Sequence, residues 1–294
     1  MSLDFRNAQP MTTVAVPTAR RGSTTPVLYD TPGPQARRIS LIASIVTGLA
    51  LAALFAWFVM ELASPRITAN GQQLPGVFDP SRWDIFADWT TWRAVGNGTL
   101  ATLRAAGVAA VLALALGMLL SLLRSARTRW ITVPISVVLE VIRGVPVLLM
   151  MLFVLLVLST DQYWAVVIAL ALYNGAIIGE ALRAGLDSLA RGQREAGLSI
   201  GLTPLQTRLL IEFPQAFRQM TPIIVAQLVV LLKDTSLGYI VGYSELLRVM
   251  MNNLASFYGN RYLFSLFFVC LAVYLLINLT VSTIAKQLSR RLAH

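Results

Sequence analysis

Apolar residues along this chain gather in runs of about 20, the length at which a helix crosses a bilayer. The first run begins at Ile39 and reaches Met60 without a charge. Five more follow: about Gly98 to Leu123, within Trp130 to Leu158, about Tyr163 to Leu182, Gln219 to Val241, and Tyr262 to Ala285. The third is longer than a bilayer needs, and Gly144 and Pro146 inside it allow a kink. Ahead of the first run, residues 1–38 are rich in Thr, Pro, Gly and Arg and carry no period, so they are expected to form a disordered tail. Residues 39–60 come too late and run too long for an ordinary cleaved signal peptide and are expected to stay as a span. The pattern predicts an all-α integral membrane protein with six transmembrane helices.

Composition sharpens this picture. Of 294 residues, 56% are hydrophobic and 13% charged, about half the ~25% charged of a soluble domain. The net charge of +10 would suit nucleic acid, but the arginines gather beside the apolar runs, as cytoplasmic loops of membrane proteins do. With the N-terminus inside, the cytoplasmic side collects Arg20, Arg21, Arg37, Arg38, Arg124, Arg127, Arg129, Arg183, Arg191, Arg194, Arg208, Arg218, Lys286, Arg290 and Arg291. The other side holds Arg66, Arg82, Arg93, Arg248 and Arg261, with Arg104 near that end of the second span. Both termini are therefore expected in the cytoplasm.

The same inventory excludes several chemistries. Cys270 and His294 stand alone in their kinds; together they build neither a zinc site nor a nucleophilic dyad, and Cys270 reads as a small packing residue. A phosphate-binding loop needs Gly-Lys-Ser/Thr, and neither Lys233 nor Lys286 follows a glycine. Any ATP this protein uses is therefore expected on another chain.

The loop from Glu61 to Val95 contains DPSRWDIFADWTTW. Asp79-Pro80-Ser81 predicts a helix start, and Trp83, Trp89 and Trp92 suit a membrane interface, where an indole buries its ring and keeps its N–H wet. Docking of an outside partner is the other reading. Residues 183–218 form a long cytoplasmic connection between the fourth and fifth spans. GQREAGLSI predicts a short helix that Gly201 breaks, because glycine accepts backbone angles other residues avoid. Thr203, Pro204 and Gln206 then supply an N-cap, a first-turn proline and a capping box. Leu205, Leu209, Ile211 and Phe213 supply apolar surface, and Pro214 is expected to end the segment. A bare linker needs only a few residues, so this rigid knob points to a cytoplasmic partner; a helix lying on lipid is the alternative.

The knob resembles the EAA loop of ABC importer permeases: Glu-Ala-Ala, a glycine six residues after the Glu, then Ile-x-Leu-Pro. Here those places hold Glu195-Ala196-Gly197, Gly201, Ile211 and Phe213-Pro214, with departures at Gly197 and Phe213. GNGTLATL at 96–103, RGVPVLLM at 143–150, the ALYNGAIIGEALRAGLDSLARGQREAG run from 171 and LLKDTSLGYIVGYSELL from 231 are similar to the polar amino-acid branch. VLYDTPGPQARR, followed by an extra span, resembles actinobacterial glutamate importer permeases. The resemblance implies a five-helix type I permease core over 96–294, one added N-terminal helix at 39–60, an extracytoplasmic loop at 61–95 and a cytoplasmic coupling helix within 183–218. It implies import of glutamate or a related acidic or polar amino acid. The chain would pair with a second permease, expected to be a related chain in a heterodimer, and receive cargo from an external substrate-binding protein. Separate ATPase subunits would bind ATP and Mg, and the site would be the bacterial cytoplasmic membrane. On this reading Glu195, Ala196, Gly197, Gly201, Ile211 and Pro214 couple to the ATPases, Gly201 setting the bend and Glu195 capping or pairing at the start of the knob.

Ionisable groups within spans are expensive and often functional. Glu140 and Arg143 sit three apart on one face and are expected as an internal ion pair, or else Arg143 shapes the pathway. Glu180 and Arg183 form a similar pair. Asn174 and the run Lys233, Asp234, Thr235 and Ser236 are further pathway candidates, since polar residues there must face protein or water; Lys233 either meets a substrate carboxylate or is neutralised by a neighbour. Two other functions compete. In a gradient-driven carrier, Glu140, Glu180 and Asp234 would carry protons, and no ATPase dock would be needed. A membrane sensor or scaffold would need no buried polar run.

Overall fold

The computed structural model describes residues 33–67, 71, 73–124 and 128–293. Two compact units divide at Glu61 and Leu62. The first is dominated by α1 (Pro34–Ala63), an unbroken helix with no buried residue. A helix apolar on all sides belongs in lipid. Proline suits a first helical position, so residues 34–38, expected in the tail, are helical; residues 1–32 lie outside the described residues.

The second unit opens with a small antiparallel pair, β1 (Arg66–Ile67) and β2 (Gln73–Leu74). Asp79 then accepts the Ser81 N–H at 2.9 Å, which starts a 3₁₀ turn over Pro80–Arg82 and holds the Asp79 carboxyl below the usual carboxylate range. Trp83 is half-buried, its indole donating to the Val77 carbonyl at 3.0 Å. Trp89 and Trp92 remain exposed.

α2 (Trp89–Arg124) starts nine residues before the expected Gly98 because Asp88 accepts the N–H and hydroxyl of Thr90 at 2.9 and 2.6 Å. Its 36 residues make a rod of about 54 Å, longer than the hydrocarbon layer. The expected third span is two helices, α3 (Arg129–Gly144) and α4 (Val147–Leu156), bent by 103° across Val145 and Pro146. α5 (Gln162–Asp187) follows, capped by Asp161 on the Trp164 N–H at 2.8 Å. Then come α6 (Arg191–Ser199), α7 (Pro204–Thr207) and α8 (Phe213–Asp234), and the short α9 (Gly238–Val241), α10 (Leu246–Arg248) and α11 (Ala255–Tyr258). α12 (Leu263–Ala293) closes the chain. Among the described residues, five helical stretches are long and apolar enough to cross a membrane, six if the bent pair counts as one span.

The core sits where α2 crosses α5. Ala105, Ala109, Ala113 and Gly117 recur every fourth residue of α2, and the three alanines are fully buried. Opposite them lie Gly175 and Gly179. A Cβ on Gly117 would fall 2.7 Å from Ile178 Cγ2, and one on Gly179 would fall 3.1 Å from the Gly117 carbonyl. Lipid offers helices no hydrophobic drive to associate, so close backbone approach over small residues supplies dispersion contact instead. A second core gathers Ile85, Val95, Leu246, Met250, Leu266 and the buried Cys270 around the start of α2.

Candidate functional site

The knob is built at the foot of α5 and α8. Ser188 ends α5 and donates its hydroxyl to the Gly185 carbonyl at 2.8 Å and to Gln219 at 3.2 Å. A Cβ on Gly185 would meet Met220 Cγ at 2.7 Å, so the two helices touch there. α6 ends at Ser199 with Ile200 as its C-cap, and Gly201 turns the chain with φ +87°. The Gly201 N–H donates to the Leu198 carbonyl at 3.1 Å and the Leu202 N–H to the Gly197 carbonyl at 3.2 Å. These two bonds define a Schellman cap, which needs a left-handed residue at its centre.

Thr203 restarts the helix through a complete capping box: its hydroxyl accepts the Gln206 N–H at 3.3 Å, and Gln206 Oε1 accepts the Thr203 N–H at 2.9 Å. Pro214 does not end this segment. A wide π-helical turn over Arg208–Glu212 absorbs the missing N–H, and Pro214 sits in the first turn of α8. The second arm of the knob is therefore the beginning of the fifth membrane helix, and the turn carries an Arg208–Glu212 ion pair at 3.4 Å.

Gly197 lies where the two arms meet. A Cβ there would stand 2.5 Å from Thr207 Cγ2 and 3.0 Å from Ile211 Cδ1. The departure from Ala thus permits close docking of α6 on its partner arm. Gly197→Ala is expected to impair transport, although it restores the more usual residue. Thr207→Ala removes both the methyl and a buried hydroxyl that has no hydrogen-bond partner, so the double variant is expected to recover. Uptake by the two variants at matched expression checks this.

The knob exposes several large apolar side chains among polar ones such as Arg191, Glu195 and Gln206. Ile200, Leu205 and Leu210 are 75%, 63% and 66% exposed, with Leu198 and Leu209 beside them. Ile211 and Phe213, expected on that face, turn inward, Ile211 towards Gly197 and Phe213 against the main core. Glu195 and Ala196 are exposed on α6. Glu195 does not cap the helix, whose N-cap is Ala190, and it forms no ion pair among the described residues.

Within the membrane the expected polar residues divide into separate places. Glu140 and Arg143 form no ion pair with each other. Both line a cavity of about 510 Å³ between α3 and α5, with Gly144, Tyr173 and Ile177. Glu180 does pair with Arg183, at 2.8 Å, and also with Arg124; Arg183 continues to Asp187 at 2.7 Å. This chain of charges ties the ends of α2 and α5. Asn174 is fully buried, donates to the Leu170 carbonyl at 2.8 Å and accepts from Gln227 of α8 at 2.8 Å. Thr235 and Ser236 spend their hydroxyls on the carbonyls of Leu232 and Lys233, at 2.7 and 2.9 Å. Lys233 opens into a groove against α12, and Asp234 is half-buried beside it.

Sequence reading missed Glu245. Its side chain is fully buried and accepts the N–H groups of Leu247 and Arg248, both at 2.8 Å, and the Tyr274 hydroxyl at 2.5 Å. Beside it Thr102 accepts the Leu246 N–H at 3.1 Å, and a Cβ on Gly98 would lie 3.0 Å from Leu246 Cα. Gly98 and Thr102 are thus the places where α2 receives the turn before α10.

Comparison with known proteins agrees with this architecture. Residues 113–294 match the family described as the binding-protein-dependent transport system inner membrane component. The chain is 33% identical over 235 residues to the glutamate transport system permease protein GluD of Corynebacterium glutamicum, covering 77% of this chain and 83% of that one. It is 34% identical over 200 residues to a probable glutamine ABC transporter permease protein GlnP of Bacillus subtilis, covering 66% and 92%. A crystal structure of an amino acid ABC transporter with histidines aligns with TM-score 0.61 at 26% identity, over 68% of this chain and 94% of that one. The apolar helices, the small-residue crossing of α2 and α5 and these likenesses lead to one assignment: the chain belongs to the inner membrane component family of binding-protein-dependent transport systems, as a multi-pass permease of an ABC importer that works with ATPase and other subunits.

Proposed function

We propose that this permease carries glutamate, or a related acidic or polar amino acid, inward across the bacterial cytoplasmic membrane. Energy comes from separate ATPase subunits that bind ATP and Mg. A second, related permease completes a heterodimer, an external substrate-binding protein delivers the cargo, and both termini lie in the cytoplasm. One observation carries the coupling: a knob that exposes large apolar side chains is fixed at one end by a Schellman turn and a capping box and is continuous at the other with α8. Exposed leucines and isoleucines held this rigidly suit a groove on a partner, because little conformational entropy is lost on docking.

Glu195 and Ala196 face that partner, Gly197 and Ile211 lock the two arms together, Gly201 sets the turn, and Pro214 with the π-turn joins the knob to α8. Nucleotide-driven closure of the ATPases moves the knob, and the membrane helices follow. The names of the relatives supply the cargo class, and the N-terminal resemblance favours glutamate. Glu180, held between two arginines, is poorly placed to shuttle protons in a gradient-driven carrier.

The test is a reconstituted complex in proteoliposomes. Glutamate-loaded binding protein is expected to stimulate ATP hydrolysis, and labelled glutamate is expected to accumulate only with ATP. Uptake that persists on an ion gradient after removal of the ATPase subunits overturns the proposal.

A further inference from the structure

We infer that the turn after β2, with Arg82 inside it and Arg66 beside it, is a binding site for the phosphate of a phospholipid headgroup. The site is independent of which cargo the permease carries.

The turn is compact and fixed. The Trp83 indole folds back on the Val77 carbonyl, the Asp79 N–H donates to the Gly76 carbonyl at 3.1 Å, and the Arg82 N–H donates to the Asp79 carbonyl at 2.9 Å. The Arg82 side chain is held within it, only 6% exposed. Its Nε is enclosed and has no hydrogen-bond partner, and its guanidinium forms no ion pair among the described residues. Burial first, and then the like charge of Arg66, hold the Arg82 guanidinium below its ordinary value; Asp79 attracts it and offsets only part of this. The Asp79 carboxylate accepts the Ser81 N–H instead and makes no ion pair with Arg82. Arginine stays protonated even so. A guanidinium taken out of water without bonds is costly unless an anion with several acceptor oxygens completes it. A phosphodiester offers two such oxygens in a spacing that matches the guanidinium fork.

The position of the turn selects the source of that phosphate. The Val77 N–H donates to the Leu62 carbonyl at 2.9 Å, and a Cβ on Gly76 would fall 1.9 Å from the Ala63 carbonyl. Leu62 and Ala63 end α1, whose charge-free apolar run closes at Met60. The turn is therefore fastened at the level where a spanning helix leaves the hydrocarbon layer. Ile67, next to Arg66, and Phe78, in the turn itself, are 72% and 54% exposed. Exposed apolar side chains around a nearly buried cation suit the headgroup boundary, where the former meet acyl chains and the latter meets phosphate. A carboxylate on a soluble partner would first have to displace the headgroups at this level.

The test uses the full-length chain in neutral detergent, titrated with phosphatidylglycerol, phosphatidylcholine or inorganic phosphate and read by native mass spectrometry. Wild-type protein is expected to bind the first phosphatidylglycerol about tenfold more tightly than Arg82→Gln does, with Arg82→Lys between them. Phosphatidylcholine, whose cationic group would face the arginines, is expected to bind more weakly. Arg93→Gln removes an exposed arginine of α2 and is expected to bind as wild type. In lipid-free detergent Arg82→Gln is expected to leave the unfolding midpoint unchanged or raise it, because no bond to the guanidinium is lost. A lowered midpoint there marks a structural arginine and overturns the inference. So does equal lipid binding by wild type and Arg82→Gln, an equal loss in Arg93→Gln, or inorganic phosphate that binds as tightly as the lipid. If lipid binding is unchanged in Arg82→Gln but more external binding protein is needed to stimulate ATP hydrolysis, Arg82 receives a protein carboxylate and the inference falls.

Discussion

Gly201→Asp is expected to abolish uptake while the protein still inserts in the membrane. Gly201 holds φ +87°, a region that strains most side-chain-bearing residues by about 1–2 kcal/mol. A Cβ there meets nothing within 4 Å, so the substitution does not disturb the packing of the spans. It places a carboxylate between Ile200 and Leu202, on the surface proposed to dock against the ATPase subunits. A charge desolvated without a counter-charge opposes docking far more than the backbone strain does. Gly201→Asn separates the two effects: Asn tolerates the left-handed region and brings no charge, so partial uptake is expected. Uptake assays at matched membrane levels, with ATPase activity measured in parallel, decide the matter. Normal transport by Gly201→Asp at equal expression removes the coupling role.

Glu245→Ala is expected to destabilise the protein by about 3–5 kcal/mol, since buried donors that lose their acceptor each cost about 1–3 kcal/mol. Three donors are orphaned: two backbone N–H groups at the start of α10 and the Tyr274 hydroxyl. Glu245 is fully enclosed, so bulk solvent does not reach these donors in the wild-type protein. Thermal unfolding in detergent is expected to shift down by about 10 °C or more. Tyr274→Phe removes one of the three bonds and is expected to lose only about 1 kcal/mol. An unchanged midpoint for Glu245→Ala contradicts the assignment of Glu245 as a buried clasp.

The spans were legible in the sequence because each needs only a run of apolar residues, and that signal is local. The kink at Gly144 and Pro146, the left-handed Gly201 and the Thr203 capping box were legible for the same reason: each rests on residues a few places apart. For Glu140 and Arg143 the ion-pair reading failed: spacing of three permits a pair, but the two side chains line one cavity between α3 and α5 without pairing. Pro214 was misread because a π-turn, which has no strong residue signature, lets the helix pass through it. Glu245 was invisible, since glutamate is a poor N-cap signal and its third partner, Tyr274, lies on α12. The inward turn of Ile211 depends on Gly197, a residue whose meaning appears only when the opposite arm is in place.

The π-turn has a mechanical consequence. Because the helix is not interrupted between Pro204 and Asp234, the knob and the middle of the membrane are the two ends of one lever about 45 Å long. A tilt of about 10° at the cytoplasmic end sweeps the far end by about 8 Å over that length. There is no loop in which such a stroke could be lost as slack. Lys233 rides near the tip of this lever beside the half-buried Asp234, so any tilt of the knob carries both groups with it.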